Sequence, residues 1–204
     1  MANVNVAFGL KPINTAGSTP ATGGTNAYLI ASDASAIYQG SAVKAVDGGS
    51  IAIGSATGDT VAFLGVFAGC EYVSSTTGKK VFSNYWPGSG ADTDFDIIGH
   101  VYDNPLQRFV VCTDASFTNQ ATAEAAIFEN SQFNSGAGGS TTTGISNAQL
   151  DVATLDSSNA SLPLKIVGIA SDADNEDYTA AGLPVIVMIN NHALLQADSE
   201  AAIS

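Results

Sequence analysis

The chain has 204 residues, with 6 Lys+Arg against 19 Asp+Glu, a net charge of -13 and only 12% charged residues. Binding to a phosphate backbone rests on Lys and Arg releasing counterions, so this balance argues against a DNA or RNA partner. No apolar run approaches the roughly 20 residues of a membrane span, and a chain of this length buries about 70% of the surface its unfolded form exposes, so it can hold a core unaided.

Residues 1–25 are small and polar, broken by Pro12, Pro20 and the Gly23-Gly24 pair, with Phe8, Leu10 and Ile13 as isolated apolar positions. They read as an extended N-terminal arm ahead of a single mainly-β domain over residues 26–204. The start of the chain lacks a basic stretch followed by an apolar core, which predicts synthesis in the cytoplasm.

Strand-like runs follow at Tyr28 to Ala31, Ala42 to Val46, Ile51 to Ile53, Val61 to Val73, Lys80 to Ser83, Asp96 to Tyr102 and Arg108 to Thr113. Asp47-Gly48 predicts a hairpin, because a two-residue primed turn needs positive φ. Both alternating faces of Val61 to Ala68 are apolar, so this strand is expected to be buried on both sides. Cys70 and Cys112 lie inside apolar runs and are read as buried thiols in a reducing compartment.

Asn119 to Asn130 predicts the one helix, with Asn119 as its cap and Ala123, Ile127 and Phe128 as its apolar stripe. The Gly/Ser/Thr segment from Ser135 to Ser146 is a candidate internal boundary. Strand character resumes at Gln149 to Leu155, Leu164 to Ala170 and Val185 to Asn190, with Pro163 and Pro184 at strand starts. The expected fold is an antiparallel barrel or sandwich, a jelly-roll-like arrangement included, with one short helix.

The chemistry-bearing motifs are incomplete. Gly78-Lys79 lacks the glycine that a phosphate loop places five residues earlier, where Val73 stands. His100 and His192 are the only histidines, and a triad cannot be assembled around either from sequence. Asp92, Asp94, Asp96 and Asp103 follow calcium-loop spacing, but Ile97 occupies the position where that loop requires Gly. Asp172, Asp174 and Glu176 repeat the spacing, with Asp177 in place of the Gly and Leu183 at the last ligand position. Both clusters read as solvated acidic loops. The expectation is therefore a protein without catalytic residues, cofactor or metal.

The blocks GVFAGCEY (Gly65 to Tyr72), VFSNYWPG (Val81 to Gly88) and VYDNP (Val101 to Pro105), with the N-terminal phrase AFGLKP (Ala7 to Pro12), carry a resemblance. The chain resembles the small virion proteins, encoded beside the capsid genes of tailed bacteriophages, that are read as head decoration or cement proteins. The likeness is densest from Ser41 to Cys112 and thins after Thr113. It implies a structural protein on the capsid exterior, bound to the major capsid protein and to copies of itself, with a trimer expected. Phe8, Leu10 and Ile13 are the candidate arm contacts and the loop at Tyr85 and Trp86 a second contact, Trp86 being open between core and interface. The alternatives are a glycan-binding or host-adhesion protein of the virion and, behind it, an enzyme acting on polysaccharide, since Tyr85 and Trp86 could line a sugar groove.

Overall fold

The computed structural model describes residues 3–17, 24–54, 62–170 and 174–195. Its first strands are β1 (Lys11–Thr15), β2 (Asn26–Ile30), β3 (Ala42–Val46), β4 (Ser50–Ile53) and β5 (Gly65–Val73). Next come β6 (Lys80–Ser83), β7 (Ile97–Tyr102), β8 (Gln107–Cys112) and the helix α1 (Gln120–Ala125). The rest of the chain supplies β9 (Asn130–Ser131), β10 (Phe133–Asn134), β11 (Gln149–Leu150), a single 3-10 turn at Val152–Thr154, β12 (Leu164–Ile169) and β13 (Pro184–Ile189). The mainly-β class with one short helix is therefore what the chain adopts.

Five of these strands close a barrel in the order β3-β4-β2-β7-β5, with β5 returning to pair with β3, and β6 hangs on the outer side of β5. All pairings in the ring are antiparallel except β2 with β4. So narrow a ring leaves little interior volume. Ile30, Val43, Ile51, Phe67, Ile97 and Val101 belong to its core, and β7 contributes Gly99 between its two inward residues. A Cβ there would lie 2.9 Å from the Ile51 Cδ1 and 3.0 Å from the Ile30 Cδ1, so a glycine is what lets the barrel fill without a clash.

The second layer is an open sheet in the order β1-β8-β13-β12-β9. Its inner face carries Phe109, Val111, Leu164, Ile166, Val185 and Val187, which join one core with Ala123 and Ala126 of the helix segment and with Ala42, Phe63 and Val66 from the barrel side. The segment from Phe63 to Phe67 thus feeds both cores: Phe63 and Val66 belong to the sheet's cluster, Leu64 and Phe67 to the barrel's. That is why both faces of this run are apolar in sequence.

Several expectations shift in detail. The hairpin at Asp47 forms, but its loop has three residues, Asp47, Gly48 and Gly49, with φ of 83° and 76° at the two glycines. The helix stops at Ala125 instead of reaching Asn130, and Phe128 adopts φ 77° where the chain turns to run beside β12. Residues 11–15 of the expected arm are the edge strand β1, paired with β8. The Gly/Ser/Thr segment lies against the barrel: Ser146 is buried and its hydroxyl hydrogen-bonds Ser41 at 3.0 Å, while Gln39 and Ile145 bridge.

Candidate docking face

The outer face of the open sheet is built by strand alternation. With Phe109 and Val111 turned to the core, Arg108 and Val110 of β8 point outward; with Val185 and Val187 inward, Ile186 and Met188 of β13 point outward. Register then aligns them across strands. Lys165 stands opposite Met188 and Met188 opposite Arg108, forming one row; Gly168, Ile186, Val110 and Lys11 form the next. None of these outward side chains is fully exposed except at the rim, because neighbours on the pleat shield one another.

Residues 3–10 cross one end of this face. Asn3 Nδ2 donates to the Asp177 carbonyl at 2.7 Å, and the Val4 amide donates to Asn175 Oδ1 at 2.8 Å. Further on, the Cys112 thiol donates to the Val6 carbonyl at 3.7 Å. At Gly9, φ is 67° and a Cβ would come within 2.8 Å of the Gly40 carbonyl oxygen, so only glycine makes the turn that brings the Leu10 amide onto that same oxygen at 2.9 Å. The phrase AFGLKP therefore holds the bend that ties the N-terminal segment to Gly40 and turns Leu10 into the core.

Between this segment and the sheet lies an open groove of about 660 Å³, lined by Val4, Val6, Phe8, Ile13, Val110 and Pro184 among others. Val4 and Val6 are 64% and 63% exposed and Ile13 38%, so an apolar strip stands in water along a sheet edge. Exposed apolar surface gathered into one concavity is the mark of a contact surface. Lys11 borders the groove and sits over the Phe8 ring at 5.2 Å, where the ring's negative face holds its ammonium.

Of the residues singled out from sequence, Phe8 and Ile13 line this groove. Leu10 does not: at 2% exposure it belongs to the core beneath the sheet, because the Gly9 bend turns it inward. Trp86 is likewise a core residue of the barrel at 0% exposure, its Nε1 donating to the Ala34 carbonyl at 3.1 Å and its ring set edge-on to Tyr72. Neither side chain presents surface to a partner. Tyr85 is half-buried and stacks on Tyr38 with centroids 5.7 Å apart, away from the groove. Val4, Val6, Val110 and Pro184 were not singled out from sequence as contacts. The in-out alternation of RFVVC in β8 was the available signal, and it marks Val110 once Phe109 is placed inside.

Several polar groups elsewhere are tied into structure. Asp103 accepts from Asn26 Nδ2 at 2.9 and 2.8 Å and from the Tyr28 hydroxyl at 2.5 Å. Burial, with the hydrogen bond and charge of Asp103, pushes the Tyr28 phenol up to about 12. His192 is 2% exposed; its Nδ1 accepts the Leu194 amide at 3.2 Å and its Nε2 has no partner. Cys70 and Cys112 are unbridged, and burial pushes the Cys70 thiol up to about 12 and raises that of Cys112 as well, so both stay protonated at neutral pH. Among the described residues no three His, Cys, Asp or Glu side chains are grouped to hold a metal ion, and no helix is long and apolar enough to cross a membrane. Asp172 of the second acidic cluster lies outside the described residues.

No family model, curated protein or solved structure matches the chain.

Proposed function

We propose that this is a structural virion protein that decorates and cements the outer surface of a tailed-phage capsid, acting as a homo-oligomer, with a trimer expected, on the major capsid protein. The observation that carries the reading is the groove between residues 3–8 and the outer face of the sheet, a concavity lined mostly by apolar side chains, with Lys11 and Asn175 as its polar members. Such a surface contributes adhesion rather than bond-making. The sequence phrases that carry the resemblance support it from another side, since AFGLKP forms the bend behind the groove, GVFAGCEY covers nearly all of β5 and VYDNP begins with the last two residues of β7 in the barrel.

Cementing follows from linkage. A ligand that binds the assembled shell and not its separated subunits stabilises the shell by mass action, and a contact spanning two subunits exists only when they are joined. No turnover is needed for this work. The test is to mix the purified protein with undecorated capsids and measure occupancy by electron cryomicroscopy. Saturable, regularly spaced density at high copy number is expected. The Val6→Asp variant should bind at least about tenfold more weakly, since burying a valine side chain is worth roughly 1.5–3 kcal/mol and an aspartate reverses that sign. Absence of wild-type density on the shell overturns the reading.

A further inference from the structure

The distribution of positive charge in this acidic chain is uneven. There are 6 Lys+Arg in all, and Lys11, Arg108 and Lys165 lie together on the outer face of the open sheet, on three different strands, with Met188, Val110 and Ile186 between them. None of the three makes an ion pair among the described residues, although the chain holds 19 Asp+Glu. Lys165 Nζ donates to the Phe128 carbonyl at 3.3 Å, and Lys11 rests on the Phe8 ring.

Arg108 is the centre of the set. Strand β1 carries a bulge opposite it: Pro12 pairs with Phe109 and Thr15 with Gln107, which leaves Ile13 and Asn14 facing a single residue. Arg108 Nε and Asn14 Oδ1 are both shielded from water and both without a hydrogen-bond partner. A buried donor on a guanidinium left unmatched costs free energy that a charge-assisted bond recovers. Arg108 is thus half-buried opposite the bulge with its Nε unmatched, on the same outer face as Val110, which lines the apolar groove.

We propose that this face, the groove together with the row Lys165, Met188 and Arg108, docks a protein surface whose apolar centre is flanked by carboxylates, with Arg108 as the central ion-pairing residue. The proposal rests on the decoration reading and gives the shell's contact patch its chemistry: acidic, with an aliphatic side chain for the groove. Charge complementarity selects this occupant. The same face of a second copy would bring cations against cations, and a nucleic acid would meet the field of a chain with net charge -13.

The experiment compares wild type with Arg108→Glu, and with Lys79→Glu as a control of equal charge change on an exposed turn remote from this sheet. Each is checked for an unchanged near-ultraviolet circular dichroism spectrum and measured for occupancy on undecorated capsids at low and high salt. Arg108→Gln is carried alongside as a milder variant that leaves no acid in the sheet. The expected result is a loss of at least about tenfold for both Arg108 variants and little change for Lys79→Glu, with wild-type binding weakened by salt. Wild-type binding that is salt-independent and equal in all the variants overturns the docking inference while leaving decoration standing. A failure of wild type to bind at all overturns decoration and this inference with it. If Arg108→Glu alters the sedimentation coefficient of the free protein but not its capsid occupancy, the face is an interface between copies and the proposed occupant is wrong.

Discussion

At the scale of single residues, Trp86 and His192 show how burial decides what a polar-capable side chain does. Trp86 fills the barrel and satisfies its own N–H on Ala34, so Trp86→Ala should cost about 3–5 kcal/mol of unfolding free energy in urea titration. An effect below about 1 kcal/mol would contradict a core role. His192 has its pKa lowered from 6.5, first by burial, with the charge of Asp103 opposing. The unfolded chain therefore takes up a proton near 6.5 that the folded chain refuses. Stability is undiminished above that value and falls as pH drops below it toward the lower folded pKa. Melting temperatures measured from about pH 7.5 down to about pH 5.5 should show that decline, and His192→Asn, whose Oδ1 can still accept the Leu194 amide, should flatten it. A wild-type profile with no slope in that interval would mean the ring is reached by water. The thiols give a simpler readout: both cysteines should resist iodoacetamide in the native protein at neutral pH and react after denaturation.

At the scale of elements, what was legible depended on whether a segment's neighbours lie inside its own pattern. The edges of β3 and β6 coincide with their apolar runs, and β7, β8 and β13 fall within a residue of theirs. Strands β7, β8 and β13 each bury an alternating face, and period two is visible in sequence. Strand β1 was hidden because KPINT has no such alternation and is a strand only through its pairing with β8. The helix was overextended because Ile127 and Phe128 continue its apolar stripe, yet the chain leaves α1 to hydrogen-bond with β12: the Phe128 amide donates to the Ile166 carbonyl at 2.8 Å. A docking sheet competed with the last turn and won. The cap was readable: Asn119 Oδ1 accepts the Thr122 amide at 3.0 Å. Asn119→Ala should lower stability by about 0.5–2 kcal/mol in chemical denaturation, and a neutral result would show that the short helix is held by packing alone. The candidate face was legible only at Phe8 and Ile13, since Arg108, Val110 and Lys165 become neighbours through register between strands far apart in sequence.

At the scale of the whole molecule, the barrel and the open sheet have separate apolar clusters but not separate chains of support. Phe63 and Val66 sit in the sheet's cluster and Leu64 and Phe67 in the barrel's, so one continuous segment is wedged in both. The layers are also stitched at the Phe63 and His192 bridge, at the Leu10 amide on the Gly40 carbonyl and at the Ser41 and Ser146 hydroxyls. Unfolding either layer alone would pull half of that segment's side chains from a filled core and leave the other half anchored in a core that has lost its wall. Such a partly open state strands apolar surface in water without releasing the chain entropy of full unfolding, so it is poorly populated. The expected outcome is a single calorimetric transition whose van't Hoff and calorimetric enthalpies agree. Phe63→Ala and Phe67→Ala, one residue from each cluster, should each lower that one transition rather than split it, by about 3–5 kcal/mol. If Phe67→Ala instead yields two resolved transitions, only the earlier of which is shifted from wild type, the barrel melts independently and the shared segment is not what couples the two layers.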